Sequence, residues 1–165
     1  MTQPKGAWPA IRAVYEDLRA LFADSGLVGD APLPRVTLGL TATDPEPFHA
    51  FVWGTARDFG VAGALTNSVV QVTFHVWVTV VASGSDMETA CARANAYQAV
   101  ALQIPLVDND LGGTVTEIGV PQVKESDSWA DSDGRCHSGY LLDYEASVYV
   151  GADPRAARVI DSLEG

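Results

Sequence analysis

The sequence predicts an α+β domain, in which a mainly antiparallel sheet of about four to five strands carries two amphipathic helices on one face and a short C-terminal helix. Apolar residues recur at helical spacing over the first 24 residues and again after residue 85, and they alternate with polar residues from residue 69 to residue 82. Because strands follow one another with helices on either side, an antiparallel sheet covered on one face is expected. The 165 residues fit a single domain, residues 1–165.

The first predicted element is a helix from about Trp8 to Asp24, whose apolar residues form one stripe. Ser25 and Gly26 are predicted to end it, because glycine readily takes the left-handed conformation that closes a helix. A connector rich in glycine and proline follows over residues 26–47, with one short strand predicted from Val36 to Thr41. The stripe of the helix consists of Ile11, Val14, Tyr15, Leu18, Leu21 and Phe22.

The strongest strand prediction is Val69–Ala82, where apolar and polar residues alternate so that one face is buried. A shorter strand is predicted before it at Phe48–Trp53, and a loop of small residues is predicted between the two, up to about Ser68. The apolar face of the long strand consists of Val70, Val72, Phe74, Val76, Val78 and Val80.

A second helix is predicted to begin at Ser85, which has the spacing of a capping box with Glu88. Pro105 is predicted to mark its end, since proline disfavours the helical conformation at the preceding residue. Cys91 falls on the apolar stripe of this helix and is predicted to be a small buried apolar residue. The whole stripe consists of Met87, Ala90, Cys91, Ala94, Tyr97, Ala101 and Ile104.

Two more strands are predicted near the end of the chain, at about Gly113–Lys124 and Gly139–Val150. The polar segment Glu125–Ser138 between them is predicted to be a loop that is too long for a tight turn. Asp153 followed by Pro154 is a favourable helix start, which predicts the short C-terminal helix.

The composition of the chain limits the classes of function that it can have. The formal net charge of −11 argues against tight binding to a nucleic-acid backbone, which needs clustered lysine and arginine. Two cysteines are too few for a disulfide framework and indicate a reducing compartment. The first residues do not resemble a signal peptide, and the longest apolar stretch is too short and too polar for a transmembrane helix, so no membrane association is expected.

Motifs for catalysis, cofactors and metal ions are missing from the sequence. Gly-x-Ser-x-Gly does not occur, and the pair Gly112-Gly113 precedes a predicted strand instead of the helix that a phosphate-binding loop requires. Cys136 and His137 are neighbours without the second ligand pair of a structural zinc site. A structural protein with no cofactor and no bound metal is therefore expected, and not an enzyme.

The acidic segment Asp127–Gly134 resembles part of a calcium-binding loop. With Gly134 at the sixth position of such a loop, Trp129 would stand first and Tyr140 twelfth, and neither side chain supplies the carboxylate required there. An exposed acidic hairpin tip is the simpler interpretation.

Asp143 and Glu145 lie two residues apart on the last predicted strand and therefore on one face of it. Three interpretations are open for this pair. They could lie on a solvated face, carry out acid/base chemistry if a cleft buries them, or face the channel of a ring.

The polar face of the long strand is the candidate subunit interface. Trp77 is large for a solvent-facing position and is the kind of anchor that subunit contacts use. Coverage of Trp77 by loops of the same chain is the alternative and stays equally open. The predicted interface set is Gln71, Thr73, His75, Trp77 and, from the acidic segment, Trp129.

The order and texture of these elements resemble the tail terminators of phages with long non-contractile tails. Members of that family have a leading amphipathic helix, a short aromatic segment ending in glycine, a long valine-rich strand, a helix and a closing strand pair. Here the short segment is Phe48–Gly54, and the long strand is Val70–Val81 with its Phe74-His75-Val76-Trp77 run. Ser85–Ile104 resembles the helix and Leu141–Val150 the last strand, so the resemblance covers about residues 11–150.

This resemblance implies a tail-terminator-like domain that forms a homohexameric ring. Such a ring caps the head-proximal end of the tail tube in the virion, stops tube elongation and joins the tail to the head. Its implied partners are further copies of itself, the tail tube protein and a head-completion or neck protein, with assembly in the host cytoplasm. DNA passes through the channel without specific binding, and the family has no cofactor.

Two other functions are compatible with the sequence. The first is a neck or head-completion protein that connects head and tail, which belongs to the same broad kind. The second is a small α+β ligand-binding domain or enzyme with a pocket between sheet and helices.

Overall fold

A computed structural model describes residues 8–24, 31–39, 48–53, 57–61 and 69–151, with side chains described except at residues 51, 53, 57–61, 69–71 and 149–151. The predicted C-terminal helix at Asp153 and Pro154 and the predicted helix end at Ser25 and Gly26 lie outside the described residues.

The strands of the described part form one sheet of seven. Two of them are long and lie at its centre, and the others are short and line their outer edges. In chain order the strands are β1 (Arg35–Leu38), β2 (His49–Trp53), β3 (Arg57–Val61), β4 (Val69–Gly84), β5 (Glu117–Ile118), β6 (Gln122–Ala130) and β7 (Cys136–Gly151).

The central strands β4 and β7 pair antiparallel over 16 residues each, from Val69 opposite Gly151 to Gly84 opposite Cys136. The alternation predicted for β4 is confirmed: the even-numbered side chains Val72 to Val80 are buried, while the odd-numbered ones are half-buried on the other face. Because side chains alternate across a strand, this pairing gives the sheet an apolar inner face and a polar outer face.

The short strands complete the sheet. On the outer edge of β4, β2 pairs with residues 77–81 and β3 with residues 70–74, both antiparallel. On the outer edge of β7, β6 pairs with residues 136–143 and β5 with residues 146–147. β1 lies outside β2 and runs parallel to it. The predicted α+β class is confirmed, although the sheet is mixed and has more strands than the four to five expected.

Helices cover the inner face of the sheet, as predicted. They are α1 (Trp8–Ala23), α2 (Met87–Ala101) and the single turn α3 (Ile104–Val107). α1 contacts β1, β2 and β4, whereas α2 contacts β4 and β7. The rings of Phe22 in α1 and Tyr97 in α2 meet edge to face with centroids 5.5 Å apart, which joins the two helices over the core.

Four local predictions are corrected. Residues 57–61, predicted as loop, form β3. The second helix is capped by Asp86 instead of Ser85, because the carboxylate of Asp86 accepts a hydrogen bond of 2.7 Å from the amide of Thr89. Pro105 lies inside α3 and does not end α2, since proline fits the first turn of a helix. Cys91 is half-buried and not fully buried.

The predicted loop Glu125–Ser138 is instead a β-hairpin. β6 and β7 are joined by the five residues 131–135. Residues 113–116, which were predicted to begin the preceding strand, form a turn instead. Asp131 holds the turn between β6 and β7: its carboxylate accepts hydrogen bonds of 3.0 Å from the amides of Asp133 and Arg135. Gly134 supplies the positive φ of 79° that the turn requires. The hairpin is polar because β6 is exposed along its whole length.

Asp17 of α1 faces Asp108, the residue that follows α3. Burial, a hydrogen bond to Asp108 and the charges of Asp108 and Glu16 raise the pKa of Asp17 from 3.8 to about 7. Because the folded chain holds this proton more tightly than the unfolded chain, the stabilisation is complete below about pH 4 and is lost as the pH rises through 7.

We therefore expect Asp17→Asn to remove this pH dependence. A shift of this size is worth about 4 kcal/mol for a fully buried carboxyl, and solvent screening of a partly exposed one reduces it to about 1–2 kcal/mol. The variant should match the wild type at pH 5 and unfold at a temperature roughly 3–6 °C higher at pH 8. Thermal unfolding at the two pH values checks this, and an unchanged pH dependence in the variant would contradict it.

Candidate functional site

The outer face of the sheet gathers most of the side chains predicted to be functional. Thr73, His75 and Trp77 of β4 are half-buried and lie opposite Ser147, Glu145 and Asp143 of β7, respectively. The side chain of Gln71, also predicted at the interface, lies outside the described residues, although its backbone pairs within β4. The predicted interface residues and the predicted channel-facing pair therefore share one surface.

Asp143 is the electrostatic centre of this surface. Its carboxylate lies 3.1 Å from Nδ1 of His75 and 3.8 Å from Nζ of Lys124, and only 9% of the residue is exposed. Glu145, two residues further along, is exposed. The two acids thus have different environments: Asp143 is held by two cationic or polarisable partners, whereas Glu145 faces solvent.

An open groove of about 640 Å³ runs between β5 and β6 across this face. Its charged residues are Glu117, Lys124, Asp143 and Glu145, so acids outnumber bases. We call it the acidic groove. Exposed Val120 lies at its rim.

Trp129 lies apart from the other predicted interface residues. It pairs with His137, six residues along β7 from Asp143, which is about 20 Å at the rise of an extended strand. Its indole stacks on the His137 ring with centroids 5.3 Å apart and remains 39% exposed. Trp129 therefore marks the hairpin end of the outer face and does not join the Trp77 region.

A hydroxyl, an imidazole and a carboxylate meet at the hairpin end. Nδ1 of His137 lies 2.6 Å from Oγ of Ser83, and Nε2 lies 2.9 Å from the carboxylate of Asp131. The carboxylate only accepts, so Nε2 donates to Asp131 and Nδ1 accepts from the Ser83 hydroxyl in the neutral ring. The hydrogen bond from His137 lowers the pKa of Asp131.

This group of three was missed in the sequence, because Ser83 and His137 are 54 residues apart and only the register of β4 with β7 brings them together. The residue types are those of a nucleophilic triad. However, Ser83 is only 1% exposed, and its carbonyl accepts a 2.9 Å hydrogen bond from Arg93 of α2. The arrangement ties the hairpin turn to the end of β4 and to α2, which is a structural role.

A direct assay separates the structural role from a catalytic one. We expect the wild type to hydrolyse p-nitrophenyl acetate no faster than Ser83→Ala does, because a buried hydroxyl is out of reach of an ester. The hydrolysis rate of neither protein should exceed that of free imidazole at the same concentration. Release of p-nitrophenolate gives the rate. Hydrolysis that depends on Ser83 would contradict the structural role and support the enzyme alternative.

The two edge strands each have one side that is not paired with another strand of the described residues. All nine residues of β6 are exposed, including Val123 at 46%, and within the described ranges no strand pairs with its outer edge. β1 ends the strand order on the other side of the sheet, where no strand of the described part pairs with its outer edge either. Such edges accept further strands readily.

In the described part of the chain, no group of three or more histidine, cysteine, aspartate or glutamate side chains is arranged to hold a metal ion. The helices described there are also too short or too polar to cross a bilayer.

Comparison with known proteins gives a distant structural likeness. No family model matches the sequence, and no curated protein matches it. Among solved structures, a chain from the "Virion of native gene transfer agent (GTA) particle" is 13% identical, with a TM-score of 0.41; the match covers 83% of this chain and 93% of that one.

Proposed function

We propose that this chain is a structural subunit of a phage-like virion, and that copies of it close into a ring at the head-proximal end of the tail as a tail terminator. The observation that carries the proposal is that, among the strands of the described residues, a single sheet has β1 and β6 at its two opposite ends with no strand paired to their outer edges. Rings close when two different surfaces of one subunit meet head to tail, and two distinct edges of one sheet meet that requirement.

The backbone of β6 is well placed for such a contact. The amide of Asp131 donates 2.9 Å to the carbonyl of Arg135, which makes these residues a hydrogen-bonded pair at the turn. Hydrogen-bonded and non-hydrogen-bonded pairs alternate along antiparallel strands. Counting back from the turn, the amide of Ser126 points away from β7 and towards the open edge. A backbone carbonyl of a neighbouring strand could accept a hydrogen bond from this amide.

The outer face supplies the second part of the proposed interface. Trp77, Thr73 and His75 are half-buried in the single chain, so contact with a neighbour would remove further surface from water. Glu145 and Glu117 are exposed beside them and would give an adjacent channel wall a negative charge. Such a wall repels DNA phosphates and lets DNA pass without binding.

The position in the tail rests on the order of elements that resembles tail terminators. The proposed partners follow from that position: the tail tube on one side of the ring and a neck protein on the other. A head-completion protein with the same ring-forming sheet is the closest alternative.

Inactivating the gene in the particle that encodes it tests the position. We expect electron micrographs to show abnormally long tails, because nothing stops tube elongation, and a plasmid copy of the wild-type gene should restore the normal length. Free tails of normal length would instead indicate a neck protein. Normal particles would overturn a virion role.

A further inference from the structure

The sheet register places two opposite charges on one row, at the two open edges. Arg35 of β1 lies opposite His49, His49 opposite Val81, Val81 opposite Gly139, and Gly139 opposite Asp127 of β6. Residues that lie directly opposite on neighbouring strands share a face of the sheet. Arg35 and Asp127 are therefore on the same face, at the same height and at opposite ends of the sheet.

Three residues further along β1, the register places two apolar side chains on one row. Leu38 lies opposite Val52, Val52 opposite Val78, Val78 opposite Leu142, and Leu142 opposite Val123. Leu38 is half-buried and Val123 is 46% exposed in the single chain. This row belongs to the inner face, where Val52, Val78 and Leu142 are fully buried.

The strand directions also match. β6 and β4 are both antiparallel to β7, so they run the same way. β2 is antiparallel to β4, and β1 is parallel to β2, so β1 runs opposite to β6. A copy placed beside another in the same orientation therefore brings β1 next to β6 as an antiparallel pair, which is the more stable arrangement.

We propose that β6 of one copy adds to β1 of the next copy as an antiparallel pair that follows the rows of the sheet. Asp127 then lies opposite Arg35 and, beyond the register shift of β6 between Val123 and Glu125, Val123 lies opposite Leu38. This pairing rests on the proposed ring and would be the contact between neighbouring subunits in it. The partner is a second copy of this chain, because the row of one edge matches the row of the other in charge and in apolarity. The opposite charges also offset part of the repulsion between chains that each carry a net charge of −11.

Charge reversal tests the pairing. Asp127→Arg and Arg35→Asp should each weaken association about tenfold or more, because each places like charges directly opposite one another. Mixing the two changes in one chain should restore association to within about threefold of the wild type, since the pair is then reversed but complementary. Sedimentation velocity over a concentration series measures this. Matched controls are Asp110→Arg and Arg12→Glu, which change exposed charges that belong to neither edge strand and should leave association unchanged.

Cross-linking tests the register. Facing residues of antiparallel strands have Cα atoms about 4.5–5.5 Å apart, within the range of a disulfide. In a chain with Cys91→Ser and Cys136→Ser, Leu38→Cys with Val123→Cys should give a ladder of oligomers on mild oxidation. Leu38→Cys with Glu125→Cys, which lies one row away and on the other face, should give none.

The outcomes separate this inference from the ring itself. Wild-type protein that forms rings but gives neither the charge effects nor the cross-link would overturn the proposed pairing and leave the ring intact. Wild-type protein that stays a single chain at every concentration would overturn the ring and the pairing together.

Discussion

Ser126→Pro should abolish assembly while leaving the single chain folded. Proline removes the amide that points to the open edge of β6, and its ring occupies the space that a neighbouring strand needs. A net backbone hydrogen bond is worth about 0.5–1.5 kcal/mol, so its loss alone weakens each contact up to about tenfold, and the steric block adds to this. Because every contact of a ring carries the same change, ring-sized particles should disappear in gel filtration.

The matched control is Ser126→Ala, which keeps the amide and removes only the exposed hydroxyl. It should assemble like the wild type. Far-UV circular dichroism of Ser126→Pro should match the wild type, because the hydrogen bonds between β6 and β7 at this pair are not made by the amide of Ser126. Normal rings from Ser126→Pro would exclude the β6 edge as a contact.

Trp77→Ala should weaken association by about 30-fold or more at each contact. Tryptophan at the centre of an interface typically contributes at least ~2 kcal/mol, which corresponds to that factor. Trp77 is half-buried on the outer face, so part of its indole is available to a neighbour, while the core on the inner face is untouched by the change. Sedimentation velocity measures the association constant.

Trp8→Ala is the control for this change, because it deletes an indole that is 56% exposed on α1, away from the outer face. It should leave association unchanged. The temperature of thermal unfolding tells the two interpretations of Trp77 apart. If the unfolding temperature of the Trp77→Ala single chain is more than about 10 °C below that of the wild type, the indole stabilises the fold and is not an interface residue.

Elements with a strong apolar period were predictable. The alternating valines of β4 predicted both its extent and its buried face, because one face of an antiparallel sheet packs on a core and the other does not. The stripe of α1 behaved in the same way, and its members Val14, Leu18 and Phe22 are buried. In both cases the period follows from burial on one side only.

β3 and β6 were not predictable from that signal. β3 has the sequence RDFGV and β6 has QVKESDSWA, and neither shows a clean alternation. β6 is exposed over its whole length, so no burial imposes a pattern on it. These strands form because β4 and β7 offer edges to pair with, and such tertiary pairing leaves little trace in local sequence.

The candidate interface was predictable only in part. The alternation of apolar and polar residues predicted that Thr73, His75 and Trp77 share the polar face of one strand. The partners Asp143 and Lys124, which lie near His75 in space, come from β7 and β6 and are set by register. Likewise, the row that joins Arg35 to Asp127 passes through five strands. Long-range register is not contained in the spacing of neighbouring residues, which is why the row was invisible in the sequence.

The most direct test of the ring is the mass of the purified protein, measured by light scattering as its concentration is raised. The chain has a mass of 17.5 kDa. We predict a single larger species whose mass is a fixed multiple of this value, about 105 kDa for a hexamer, because a head-to-tail contact that closes admits one size. A mass of 17.5 kDa at every concentration, or a continuous rise without a plateau, would contradict a closed ring.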